Sequence, residues 1–200
     1  MGTSRQTVDA ARNVGRPSVR DQRRRQIVDA FLDLVAANGL GGVSLDDVAS
    51  AAGVQRAAIR HFVGNREHLI MAAIEEITSS AVDDLGPPST FTAFAAALFS
   101  PQRVENLTAA DDAWNELIPE VLRLPGGREL VKASYGRLMA AIADALRRDY
   151  PDAPAAGIRD TAYAIACLAE QHFTFQRVGF PRARSGAAMD AALALAERLS

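Results

Sequence analysis

The sequence predicts an all-α protein, with a compact three-helix head at the N-terminus joined to a longer helical body. Three observations predict it. Apolar residues recur at three- and four-residue spacing along most of the chain, as in Ile27, Phe31, Leu34 and Val35. No convincing stretch shows the strict alternation of a half-buried strand. Gly and Pro divide the periodic stretches into helix-sized lengths, most clearly at Gly86-Pro87-Pro88.

The elements follow in order. Residues 1–19 are polar and read as a flexible basic arm that ends in Gly15-Arg16-Pro17. A first helix starts near Arg20 and stops at Asn38-Gly39, where glycine suits a left-handed turn. Ser44 opens a second helix, with Asp47 three residues on in capping-box position and Leu45, Val48, Ala49 and Ala52 as its apolar stripe. Gly53 breaks it, and residues 55–62 make a third short helix. Asn65 caps a fourth over residues 66–85. Beyond Gly86 the readings are a short helix over 89–100, another over 101–106, and one over 109–123 with a kink at Pro119. Three longer helices complete the body over 128–150, 156–178 and 185–199.

The informative stretch is residues 43–70. Two short helices meet at a glycine, and the second begins with polar residues. That is a helix-turn-helix arrangement, in which one helix braces another whose N-terminal residues reach base edges in the major groove. The turn demands a small residue, which is Gly53, and close helix contact demands another, which is Ala49. Val54 seals the core after the turn. Gln55, Arg56 and Ala57 then begin the reading helix. Arg56 suits guanine O6 and N7, Gln55 suits adenine, and Ala57 suits a thymine methyl. Arg60 and His61 lie nearer the DNA backbone. Ser44, at a helix N-terminus, is a candidate phosphate contact.

With these residues in register, the chain resembles the tetracycline-repressor (TetR) family of transcriptional regulators. The likeness rests on Ser44, then Val48-Ala49, then Ala52-Gly53-Val54, followed by Ile59-Arg60-His61-Phe62-Val63 and Gly64-Asn65-Arg66-Glu67-His68-Leu69. It covers residues 24–70 in detail. One position departs, because Arg60 stands where the family usually has a tyrosine that contacts phosphate. Arginine can take that role with a full charge and a planar fork. The resemblance places a phosphate contact at Arg66, where the family has lysine. It also implies a homodimer through the last two helices and a small-molecule effector inside the body.

The sequence is thus expected to hold an arm over 1–19, a DNA-binding domain over 20–65, and a helical ligand-binding and dimerisation domain over 66–200. The fold class is an all-α chain with an N-terminal three-helix helix-turn-helix head on that body. The expected partner is a palindromic double-stranded DNA operator, since one recognition helix reads too few base pairs for typical specific affinity. The expected mode is ligand-released repression. The effector is expected to be hydrophobic, with Phe94, Phe99, Trp114, Tyr135, Met139, His172 and Phe175 as candidate lining residues. Arg16 in the arm is a candidate for a narrow minor groove. Arg25, in the Arg23–Arg25 cluster of the first helical turns, sits at the wrong end for the helix dipole and would be relieved by a polyanion.

Charge fits this reading. Residues 1–70 carry ten Arg against seven Asp and Glu, a balance of +3, and the remainder carries −5, summing to −2. A basic end on an acidic body suits a protein that presents that end to a polyanion. Other classes lack support. No His-Glu-x-x-His pair, Gly-rich phosphate loop or nucleophile elbow is present, so no enzyme, metal site or cofactor is expected. A single cysteine, Cys167, leaves no intramolecular disulfide. With no apolar run near 20 residues and no secretory h-region, a reducing cytoplasm is the expected compartment, with no membrane partner.

Overall fold

The computed structural model describes residues 18–86, 90–105, 109–181 and 183–200. Among these the chain is helical, with no strand. The elements are α1 (Val19–Asn38), a 3₁₀ turn (Leu40–Gly42), α2 (Leu45–Ala51), α3 (Arg56–Phe62), α4 (Arg66–Asp83), α5 (Phe91–Leu98), α6 (Pro101–Glu105), α7 (Ala109–Val121), α8 (Gly127–Asp149), α9 (Ala155–Arg177) and α10 (Arg184–Glu197). The all-α expectation is borne out.

Local chemistry sets the helix ends. α1 begins one residue before its expected start, because Ser18 and Asp21 form a reciprocal capping box. Asn65 caps α4 by accepting from the His68 backbone N–H at 2.9 Å. His68 Nδ1 in turn accepts from the Asn65 N–H. α7 runs through Pro119, which lies inside the helix. α8 starts at Gly127, where a Cβ would lie 1.7 Å from the Val121 carbonyl oxygen. Only glycine permits that approach between the α7 end and the α8 start.

Among the described residues two apolar cores result. The first gathers Ile27, Phe31 and Val35 of α1 with Val48 and Ala49 of α2, Ile59 of α3 and Leu69, Ala73 and Ile77 of α4. It also includes Ala113, Leu117 and Val121 of α7. The second joins Phe91, Phe94 and Leu98 of α5 with the facing sides of α8, α9 and α10. α1 therefore packs on α7, and the three-helix head shares one continuous core with part of the body. Burial of that shared face, at roughly 25 cal/mol per Å² of apolar surface, ties the two together.

Candidate nucleic-acid interface and cavity

The candidate interface is built on the turn between α2 and α3. Gly53 takes φ +61°, the left-handed region that glycine enters without strain. The Val54 N–H donates to the Ala49 carbonyl at 2.9 Å, closing the turn. From α1, the Gln26 side-chain amide donates to the Ala52 carbonyl at 2.7 Å and fixes the end of the bracing helix. Ile59, 1% exposed, anchors α3 to the core. Helical periodicity then turns Arg56, Ala57, Arg60 and His61 outward together, with Gln55 beside them at the N-cap. All five are exposed. Gln55 makes no side-chain cap bond, so its amide is available to an outside partner.

The charged groups on this face differ in surroundings. Arg56 Nη1 donates to Asp46 Oδ2 on α2. Arg60 makes no ion pair among the described residues. His61 sets its ring edge-on to Phe62 at 4.7 Å between centroids.

Two expected phosphate contacts, Ser44 and Arg66, have intramolecular partners. The Ser44 hydroxyl donates to the Asp47 carboxylate at 2.6 Å and accepts from the Asp47 N–H at 3.2 Å. The Ser44 side-chain bond and then its backbone bond hold the Asp47 carboxyl below the usual range. Asp46 and Asp47 also make the first turn of α2 acidic, which complements the helix dipole and opposes a phosphate there. Arg66 is half-buried and donates to two backbone carbonyls, Val43 at 2.6 Å and Leu40 at 2.7 Å. Arg66 thereby clasps the segment between α1 and α2. On the same segment, the Leu40 N–H donates to Glu116 of α7 at 3.4 Å. Arg25 faces Glu76 of α4 at 3.8 Å, beside an Arg24–Glu75 pair at 3.0 Å. These pairs bridge α1 and α4 at the surface and contribute little to folding stability. Arg16 lies outside the described residues.

A cavity of about 130 Å³ lies where α4, α7, α8 and α9 meet. Trp114 and Tyr135 line it with their rings perpendicular, 5.8 Å between centroids. Thr78 of α4 and Ser134 of α8 share a buried hydrogen bond at its wall, 3.0 Å long. Arg103, Glu170 and Arg177 bring charge to its lining. Burial, and then the nearby Glu170 carboxylate, push the Tyr135 hydroxyl above its usual range.

No family model matches the chain. A sequence relative is an HTH-type transcriptional regulator, BetI, from Klebsiella pneumoniae (strain 342). It is 26% identical over 156 residues, which is 73% of this chain and 77% of the relative. A transcriptional regulator from Pseudomonas aeruginosa PAO1 superimposes with a TM-score of 0.71 at 19% identity, over 90% of this chain and 94% of that one. A TetR-family transcriptional regulator from Streptomyces coelicolor superimposes with a TM-score of 0.64 at 21% identity, over 89% and 88% of the two chains. The chain has the fold of the TetR-family regulators.

Within this TetR-type fold the seven expected lining residues separate. Trp114 and Tyr135 face the cavity. Phe94 and Phe99 do not, because they fill the second core. Met139 packs against that same core. His172 is buried against α10, with Nε2 3.2 Å from Ser185 Oγ and Phe99 5.7 Å away ring to ring. Phe175 is 45% exposed and stacks on Phe180. Periodicity says which face of a helix is apolar, but not whether that face meets a neighbour or a void. The polar wall residues Thr78, Asn115 and Glu170 were missed, since nothing local distinguishes them from ordinary surface positions. Among the described residues no cluster of ligating side chains could hold a metal ion, and no helix is long and apolar enough to cross a membrane.

Proposed function

We propose that this chain is a sequence-specific DNA-binding transcriptional repressor that acts as a homodimer on a palindromic operator and is released by a small molecule. The carrying observation is the outward face of α3, where Gln55, Arg56, Ala57, Arg60 and His61 share one exposed surface on a braced helix. Gln55, Arg56 and Ala57 read bases, and Arg60 and His61 hold the backbone. The likeness to HTH-type regulators supports this assignment.

Two half-sites require two heads about one DNA turn apart, roughly 34–36 Å. The pairing surface is formed by α9 and α10. Tyr163, Phe175, Val178 and Phe180 on α9 and the segment after it are large apolar residues left exposed in the single chain. Their burial against a second copy is the natural outcome.

The effector enters the cavity at α4, α7, α8 and α9. Its lining joins two aromatic rings to charged and hydroxyl groups, so it suits a small molecule with a ring and a polar or charged end, less purely hydrophobic than the sequence suggested. α4 is the lever. Its first half (Leu69, Ile70, Ala73) sits in the core shared with the head, and its second half (Ile77, Thr78, Ala81, Val82) lines the cavity. A ligand that binds better to one placement of α4 shifts the head spacing by that differential affinity and no more.

Selection of bound duplexes from a random library tests the reading. Recovery of an inverted repeat with half-site centres one turn apart is the expected result. Recovery of no preferred sequence, with no binding at low salt, would overturn it. The single tryptophan, Trp114, gives the effector test a direct readout. A molecule that releases DNA should change its emission, and release without any change would place the effector elsewhere.

A further inference from the structure

The two arginines on the reading face stand one helical turn apart, at positions 56 and 60, yet among the described residues only Arg56 faces an acid. Asp46 and Asp47 are neighbours in the first turn of α2 and have separate partners. Asp47 is held by the Ser44 capping box. Asp46 is left outside that box and pairs with Arg56 across the turn. Both side chains of the pair are largely exposed, at 63% and 65%, so the pair contributes little to folding stability and stands on the surface that meets DNA.

We propose that Asp46 is a specificity-determining residue, a charge filter that reserves Arg56 for a guanine edge. This rests on the assignment of α3 as the reading helix. The bond to Asp46 uses only Nη1, and a guanidinium has five N–H donors. The Nε and Nη2 edge stays open for a bidentate pair with O6 and N7 of guanine, which carry no net charge. A phosphate approaching the same guanidinium meets the Asp46 carboxylate, and the two anions repel. Arg56 thus adds little to sequence-independent attraction while keeping a fixed fork for one base. Arg60 has no such acid among the described residues and supplies charge to the backbone. In this head, position along α3 and the presence of Asp46 together divide reading from holding.

The test uses the full-length protein and three variants, Asp46→Asn, Arg56→Ala and the double variant. Each is titrated with its selected operator and with a scrambled duplex of equal length, at several salt concentrations. Asp46→Asn is expected to tighten scrambled-duplex binding about three- to tenfold and to change operator binding less, so the ratio between them falls. Its salt slope on scrambled DNA should steepen by about one ion. In the Arg56→Ala background the same change should leave the ratio unaltered, because no arginine remains to be freed. Circular dichroism checks that each variant keeps its helix content. Equal tightening on both duplexes, or the same fall in ratio without Arg56, would show plain charge repulsion and overturn the filter. A wild-type protein with no preference for any duplex would instead sink the reading-helix assignment itself, and the filter with it.

Discussion

Replacing Arg66 with alanine separates a structural arginine from a DNA-contacting one. Its guanidinium donates to the Val43 carbonyl at 2.6 Å and the Leu40 carbonyl at 2.7 Å. Those carbonyls lie in the segment that joins α1 to α2, and Val43 is 4% exposed. Hydrogen bonds to a charged donor contribute about 1.5–3 kcal/mol each, and two from one guanidinium are not additive. A loss of about 2–4 kcal/mol is therefore expected in Arg66→Ala, lowering the melting temperature by roughly 5–15 °C for a chain of this size. Arg66→Lys should recover less than half, since one ammonium cannot span both carbonyls as the fork does. Thermal unfolding followed by circular dichroism reads the stability, and titration with operator DNA at two salt concentrations reads the contact. The reasoning is refuted if Arg66→Ala melts like the wild type while its DNA affinity drops and its salt slope flattens by about one ion. Arg66 would then be a phosphate ligand, as the family resemblance implied.

Two further outcomes follow from the geometry. Gly53→Ala should cost about 1–2 kcal/mol, because φ +61° is strained for alanine while no other group lies within 4 Å of the added methyl. Gly53→Asn should cost less, and a denaturation midpoint unchanged in both would contradict the strained-turn account. Burial holds the His172 imidazole below its ordinary value of about 6.5. The unfolded chain then takes up a proton before the folded one as pH falls below about 6.5, so stability is full above that point and declines toward the lower folded value. Melting temperatures between pH 7.5 and 5 should fall more steeply for the wild type than for His172→Gln. Parallel profiles would show that His172 does not titrate differently on folding.

Much of the head was legible in the sequence because its signals are local. A serine followed three residues later by an acid marks a cap at Ser44 and Asp47, a glycine after a small-residue helix marks the turn at Gly53, and a polar start marks α3. The Ser18 and Asp21 box carries the same signature and went unread, so α1 was expected to start at Arg20. Side-chain partners were less legible. Arginines at 25, 56 and 66 look alike in sequence, and each has its own surroundings in space. The expected boundary after residue 65 also takes no account of the core that α1 shares with α7, whose contacting residues lie some eighty positions apart.

What the sequence determined by itself was the helical class, the order and approximate ends of the helices, and the identity of the face on α3. Each of these depends on residues within a few positions of one another, where backbone geometry sets the outcome. Only the tertiary structure decided which aromatics face a cavity, Trp114 and Tyr135, and which fill a core, Phe94 and Phe99. It alone paired Asp46 with Arg56 and seated Arg66 on two carbonyls. Those choices depend on the distance between elements, which the packing of whole helices sets and no short stretch of sequence encodes.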